Sequence, residues 1–544
     1  MAKSKKIIAI ILALIISFSI VAVPVAAAGS AMTLSIGGGS IENFLYLLID
    51  RLVEFLLSYF NKYWPGFEDK WDKAEDYVAE NFYPGEETFD TEVAPGSEWS
   101  LGYAGASLIK DLDIMNGEFY LAGTLEPIAG RVPVEVVDDQ RVRVYALSDG
   151  VSGTVVHAVI DGFGFSRGNV EEIRSRLESF AATNNIVSIN VSVLHQHSCI
   201  DTLGMNVPLA PAVILNTSNA ALDGMLEEFM VKKNPEFMEN LFSKTVASIK
   251  KAVRNMESGA LYYGAIDVSE YIHDKRTPEM IDGNLTRLRF VPDNASSKET
   301  WIAEAGIHPT TFGAGTDRLT ADFPYYIEQY VNKEYNANLV YIQGAELAIS
   351  KDTEPLRNAG ILTDSSTDLE VAREYGYALG EKLASLNGNE TLLDPVLNIK
   401  HKEVYFNVDN EILTLATREG ILDAVIVKDG DGYKMVTEIG YMELGNELGV
   451  FIVPGELDPV IIFGNATTSE DSWTGQSWGY APLKDFTGLD NVCVFGLCND
   501  QAGYILTDNE YRSIIDNNEE VNIVSRTSGS TLAEEFMALI GSVK

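Results

Sequence analysis

The residues best suited to chemistry appear first at Leu194-His195-Gln196-His197-Ser198, where two histidines stand one residue apart and a serine follows. The run before them, Ile186–Val193, alternates apolar residues. Val187, Ile189, Val191 and Val193 are predicted on one side of a strand, because successive side chains point to opposite faces. The histidines then lie at the C-terminal end of that strand, where ligands gather in open α/β sheets. The same period points His195 and His197 in one direction, towards one site. By itself the pair suits a metal site or two surface histidines. Further along, His308 ends an apolar segment and Glu456 follows the break at Pro454-Gly455. Taken singly, His308 reads as a core or loop residue and Glu456 as a solvated turn carboxylate. Six histidines in 544 residues are few, so their placement carries information.

The elements that must position these groups follow from the pattern around them. Arg141–Leu147 and Val155–Ile160 predict strands, the second ending at Asp161-Gly162. Val170–Ala182 predicts a helix with Ile173, Leu177 and Phe180 on one face, and the histidine strand comes next. Strand–helix–strand order implies a parallel crossover and an α/β body, a mixed or parallel sheet flanked by helices. Upstream, Ile41–Trp64 predicts an amphipathic helix whose broad apolar face is interrupted by Asp50, Arg51, Glu54, Ser58 and Lys62. It reads as a lid or membrane-surface helix, or as a helix packed on the main domain, since bases suited to anionic lipid are scarce there. The organisation expected is a signal at 1–28, the amphipathic helix and an acidic linker at 29–96, and the main domain at 97–544.

A chain this long can bury a large core, and 46% hydrophobic residues with 10% aromatic exclude a disordered polymer. The net charge of -39 repels nucleic acid and anionic bilayers; such acidity otherwise serves solubility or a saline habitat. Lys3-Ser4-Lys5-Lys6, the apolar run Ile7–Val23 and Ala26-Ala27-Ala28 form an export signal with a small-residue cleavage site. An uncleaved anchor is the alternative, because the run approaches the roughly 18–20 residues of a spanning helix. A secreted or cell-surface location follows. Cys199, Cys493 and Cys498 make no framework; Cys493 and Cys498 are close enough in sequence to pair, leaving one thiol over.

Four stretches in order resemble the neutral, non-lysosomal ceramidase family, zinc-dependent amidases acting on N-acyl sphingosine. LHQHS at Leu194–Ser198 is similar to the core of the family's THTHSGPG segment, and WIAEAGIHPTT at Trp301–Thr311 to its WFAxHxTS segment. VPGE at Val453–Glu456 is unchanged, and Gly496–Tyr511 resembles GLxNxYxxY followed by TxxEY. The likeness runs from Trp99 to Tyr511. It implies one zinc ion per chain, held by His195, His308, Glu456 and Tyr504. His197 then lies near the substrate, to bond a developing oxyanion or shuttle a proton. Catalytic zinc takes such N and O ligands with a position left open, lowers the pKa of bound water towards ~7 and polarises the amide carbonyl. YIQGAELAIS at Tyr341–Ser350 resembles the segment of the family's catalytic serine and places that role on Ser350, the alternative being a turn residue. Ala345 and Leu347 stand there in place of the family's Asn and Gly. HDKRTPE resembles the segment whose arginine touches the substrate's polar head, which assigns Arg276; a surface salt bridge is the alternative.

The sequence also departs from that pattern. Cys199-Ile200-Asp201-Thr202 replaces the Gly-Pro-Gly turn, and Gln501 replaces the first tyrosine of NxYxxY. The stretch after Tyr511 is too short for the roughly 100-residue immunoglobulin-like module that family members often carry. The leading expectation is a secreted zinc hydrolase cleaving the amide of ceramide or another N-acyl lipid, with peripheral membrane contact through 41–64. A same-fold hydrolase of a non-lipid amide and a non-enzymatic extracellular binding protein are the other readings.

Overall fold

Alternating apolar strands build the larger of two facing sheets. A computed structural model of the protein describes residues 71–544 except 124–129, 205–233, 278, 314, 411–412, 415–416, 418–421 and 513–518, together with the strand pair Ser35–Ile36 and Gly39–Ser40. The expected export signal and the amphipathic 41–64 stretch lie outside the described residues. The larger sheet contains β1 (Ser100–Ser107), β2 (Arg141–Ser148), β3 (Thr154–Ile160), β4 (Ile186–Val193), β5 (Glu257–Asp267), β6 (Asn284–Pro292), β7 (Thr300–Ala305) and β8 (Asn338–Gln343). Its order is β8-β7-β6-β5-β1-β2-β3-β4, with Thr391–Leu392 added beside β5 as the ninth strand. Most neighbours are antiparallel; β3–β4 and β7–β8 are parallel.

The second, five-stranded sheet contains β9 (Leu397–Asn407), β10 (Val425–Asp429), β11 (Gly432–Leu444), β12 (Leu448–Ile452) and a strand at Asn491–Phe495. That last strand runs parallel to β12. A short parallel pair, β13 (Glu456–Leu457) with a strand at Tyr504–Ile505, follows from these two. In chain order Asn491–Phe495 is β14 and Tyr504–Ile505 is β15.

The two sheets bury apolar side chains against each other. Trp301, Phe290 and Leu288 of the first share a core with Leu448, Val450, Ile452 and Phe495 of the second. The outer face of the first sheet is covered by α1 (Arg167–Ser175) and α2 (Pro235–Arg254), whose Val170, Ile173, Phe237, Leu241 and Ile249 meet Val142, Val144 and Val191. The helices α3 (Asp322–Tyr335) and α4 (Asp368–Ala384) bury Phe323, Ile327, Tyr375 and Leu379 in the inter-sheet core. On the far side, α5 (Ser528–Val543) lays Leu532, Phe536 and Ile540 on Val404, Met435 and Phe451. β2 shows the logic: Val142, Val144 and Ala146 enter the helix-side core while Tyr145 and Leu147 enter the inter-sheet core. A strand covered on both faces needs apolar residues at nearly every position.

The expected strands at 141–147 and 155–160 are present, and the crossover into β4 is parallel as expected. Two details differ. The single helix expected over 170–182 is split into α1 and a short helix at Glu178–Thr183, with Leu177 buried at the break. The expected one-sided stripe on β4 is interrupted near its start. A register shift sets Ile186 opposite Thr154 but Ser188 opposite Val155, and an extra residue inverts the alternation. Ile189, Val191 and Val193 face the helices, and Val187 packs against the inter-sheet core instead. Residues 84–90 run along the second sheet: Gly85 bridges to Lys400, the Asp90 amide donates to Asn398 Oδ1 at 2.8 Å, and Phe89 is buried. Cys199, Cys493 and Cys498 are buried free thiols, so the pairing open to Cys493 and Cys498 is not made. No helix among the described residues is long and apolar enough to cross a membrane.

Candidate metal centre

Three parallel pairs end in one place. The chain leaving β4 carries His195 and His197, the chain leaving β7 carries His308, and the chain leaving β8 carries Glu346. The chain leaving β12 carries Glu456, and the chain leaving β14 carries Gln501. These ends are stitched together by backbone. Gly496 N–H donates to Gln343 O at 2.8 Å, Val193 N–H to Leu497 O at 3.3 Å, and Val453 N–H to Phe495 O at 2.9 Å. Such approaches exclude side chains: a Cβ on Gly306 would lie 2.1 Å from Ala345 O, and one on Gly496 2.4 Å from Gly344 O. Left-handed backbone gathers in the same place, at His195 (φ 57°), Ala348 (φ 59°), Leu497 (φ 48°) and Asn499 (φ 65°). Non-glycine residues held there store local strain, a common feature of sites where function dictates geometry.

His195 therefore reaches the site from a turn, not by continuing β4. Gln196 fixes that turn: its Nε2 donates to Asp161 Oδ1 at 3.0 Å and to Ala321 O at 2.7 Å, and its amide donates to Gly162 O at 3.0 Å. Asp161 is itself paired to Arg143 Nη1 at 2.7 Å. The His195 and His197 ring centroids stand 4.7 Å apart, and His308 lies 5.1 Å from the first and 5.8 Å from the second. Phe163 stacks on His195 at 4.6 Å and meets His197 edge-on at 5.0 Å.

The hydrogen bonds decide which nitrogen is available. His195 Nδ1 lies 2.7 Å from Phe163 O and His308 Nδ1 lies 2.9 Å from Ile349 O. A carbonyl only accepts, so both Nδ1 atoms carry a proton, and each ring when neutral presents its lone pair at Nε2. Those lone pairs face a carboxylate: Glu456 Oε2 is 3.1 Å from His308 Nε2 and 3.4 Å from His195 Nε2. Burial pushes the His195 pKa down to about 4, with Glu456 opposing and His308 adding to the shift. Lone pairs aimed at a carboxylate repel unless a cation sits among them. Glu346 stands on the other side, its Oε2 contacting Gln343 Nε2 and lying 3.5 Å from His308 Nδ1. Burial, then Glu456, drives the Glu346 carboxyl well above its ordinary range. His195 Nε2, both ring nitrogens of His197 and Glu346 Oε1 are buried without a hydrogen-bond partner. His197 is held far below the usual histidine range by burial first, then by His195, His308, Lys275 and Arg131.

One ligand atom each from His195, His308, Glu346 and Glu456 falls within 4.8 Å of the others, and His195, His197 and His308 form a second such group. Orphaned lone pairs, neutral imidazoles and clustered carboxylates fit a divalent cation.

The fold extends this picture. No protein-family model matches the chain, and no curated protein matches its sequence. Solved structures do. Neutral ceramidase from Pseudomonas aeruginosa superposes with a TM-score of 0.59 at 13% identity, covering 82% of this chain and 74% of that one. A ceramidase complexed with C2 gives a TM-score of 0.56 at 12% identity, covering 82% and 75%. The fold is that of the neutral ceramidases. On it, His195, His197, His308 and Glu456 come together from three separate segments. Tyr504 is the Cα partner of Glu456 in the β13–β15 pair, which sets it alongside the cluster.

Ser350 is buried opposite His273 in a short ladder, one residue after the Ile349 carbonyl that receives the His308 proton. Arg276 donates through Nη2 to the Glu510 backbone carbonyl at 3.0 Å and lies 3.4 Å from Glu520 Oε1, so its guanidinium is engaged by one carbonyl and one buried carboxylate and not isolated on the surface. The residue missed on the sequence is Glu346, inside the Tyr341–Ser350 segment; Gln501, read only as a replaced tyrosine, brings its Nε2 to 3.4 Å from Glu456 Oε1. The signal for Glu346 was present: it is the one acid in the segment that follows β8.

Proposed function

We propose that the protein is a secreted, zinc-dependent hydrolase that cleaves an amide bond of ceramide or another N-acyl lipid, with one zinc ion per chain. The observation that carries this reading is the pair of Nε2 lone pairs on His195 and His308 facing Glu456 in a ceramidase fold. His195, His308 and Glu456 would hold the ion with Tyr504, and the bound metal would supply Lewis-acid polarisation of the scissile carbonyl and an acidified water. Phe163 O and Ile349 O hold the two ligand rings in the tautomer that such binding needs. His197, neutral and without a partner, takes and returns the proton between nucleophile and leaving amine. Ser350 is the nucleophile or orients it, and Arg276 steers the polar head group. An export signal at 1–28 and contact of 41–64 with a lipid surface complete the proposal.

A non-lipid amide is the second reading. It is favoured by Cys199–Thr202, where Asp201 is buried and caps the turn through Leu203 N–H at 2.8 Å instead of leaving a glycine-lined opening. Elemental analysis and a fluorogenic ceramide assay on the same samples test both. About one zinc per chain, lost with turnover in His195→Ala and His308→Ala, supports the first reading. Zinc with turnover only of short soluble amides moves the assignment to the second, and absence of zinc overturns the mechanism.

A further inference from the structure

We propose that Glu346 is itself a metal ligand, so that the centre gains a second carboxylate beside His195, His308, Glu456 and Tyr504. This rests on the metal-centre reading and goes beyond the ligand set that the ceramidase resemblance implies, which does not include Glu346.

Three observations carry it. A Glu346 oxygen lies within 4.8 Å of the ligand atoms of His195, His308 and Glu456. Glu346 is fully buried, and its Oε1 has no hydrogen-bond partner although it shares a buried site with a second carboxylate. An isolated buried carboxylate is costly, and two together more so, unless a cation compensates them. The loop is also built to hold this position. Leu347 N–H donates to Leu457 O at 3.1 Å, Ile349 N–H to Glu346 O at 2.8 Å and His308 N–H to Ile349 O at 3.1 Å. One turn, forced through a positive φ at Ala348, thus orients His308 and carries Glu346. Two carboxylates with two neutral imidazoles carry the charge that balances one divalent ion. An oxygen-richer set of this kind broadens the range of ions accepted beyond zinc.

The test is titration of the metal-free full chain with Co2+ and Zn2+, reading affinity by competition with a chelator and coordination by the Co2+ visible spectrum. Glu346→Gln keeps the shape and removes the charge; Glu346→Asp keeps the charge and shortens the reach. The proposal expects both to weaken binding by more than about 10-fold, the lower end of the loss seen when only an outer partner is removed, and to shift the Co2+ bands. Either folded variant suffices. Affinity within twofold and an unchanged spectrum in a folded variant overturn the proposal while leaving the metal centre intact. Weakening by Gln with full binding by Asp also overturns it, because charge and not coordination would then be the contribution. Failure of the unaltered chain to bind either ion overturns the metal-centre reading and this inference together.

Discussion

Two buried clusters in this protein use the same residue types to opposite effect. Between the sheets, Glu438 is paired to Arg174 through Nη2 at 2.6 Å and Nη1 at 2.8 Å, with Arg167 at 3.9 Å. His401 Nε2 meets Ser188 Oγ at 3.0 Å, His157 Nε2 meets Ser192 Oγ at 2.8 Å, and Asn499 donates to Asn190 at 2.9 Å. Acid is matched by base and imidazole by hydroxyl, so the charge of the layer is balanced without a ligand even though His401 Nδ1 and Arg167 Nη1 make no hydrogen bond. At the strand ends, two carboxylates and three imidazoles meet with lone pairs turned on one another and several atoms unpartnered. Histidine and glutamate alone do not mark a ligand site. Charge imbalance and lone-pair direction do.

Breaking the balanced layer should have the largest effect on stability. Arg174→Met leaves Glu438 buried with only the more distant Arg167 and His401, which costs about 3–5 kcal/mol and lowers the denaturant midpoint while metal content stays unchanged. Equal metal loss would show that the two clusters are not independent.

Acid should come next and sharpen the contrast through sign. Burial, with His401 nearby, lowers His157 from 6.5 to about 3, and burial lowers His401 from 6.5 to about 4. Between those values and 6.5 the unfolded chain binds protons that the folded chain refuses. Stability is therefore full above 6.5 and falls as pH drops, by roughly 3–5 kcal/mol per histidine once the window is crossed. Burial alone would raise Glu438, but Arg174 and its hydrogen bonds hold it at about 2, so its contribution fades as pH falls from 4.5 towards 2. Chemical denaturation at stepped pH should show this slope, and His401→Gln should flatten it.

The smallest effect has the opposite direction. In metal-free protein Glu456→Gln removes a carboxylate aimed at two imidazole lone pairs and supplies an amide N–H, so stability should rise by about 1 kcal/mol while metal affinity collapses. A loss of stability in the metal-free state would mean that the centre is balanced as it stands.

Part of the site was legible because its residues sit where a strand stops. His195 and His197 follow an alternating run and are marked by local pattern; His308, which ends an apolar segment, and Glu456, which follows a Pro-Gly break, were marked only by the family resemblance. Glu346 and Gln501 were not legible as site groups: each lies inside a segment already singled out, Tyr341–Ser350 and Gly496–Tyr511, but its role comes from neighbours far along the chain. The split of the 170–182 helix and the shift in β4 were hidden for a related reason. A register shift depends on the partner strand, which the sequence of β4 does not contain.

By itself the sequence determined the strand and helix order around β2–β4, the doubly buried character of those strands, and the set of histidines and acids available for chemistry. Periodicity and composition act over a few residues, so they can be read in one dimension. Only the tertiary structure decided that three parallel pairs end at one point, that Phe163 O and Ile349 O turn two Nε2 atoms towards Glu456, and that Glu438 is neutralised while Glu346 is not. Each of these depends on charges and lone pairs from distant segments meeting within a few ångströms, where burial makes their mutual orientation decisive.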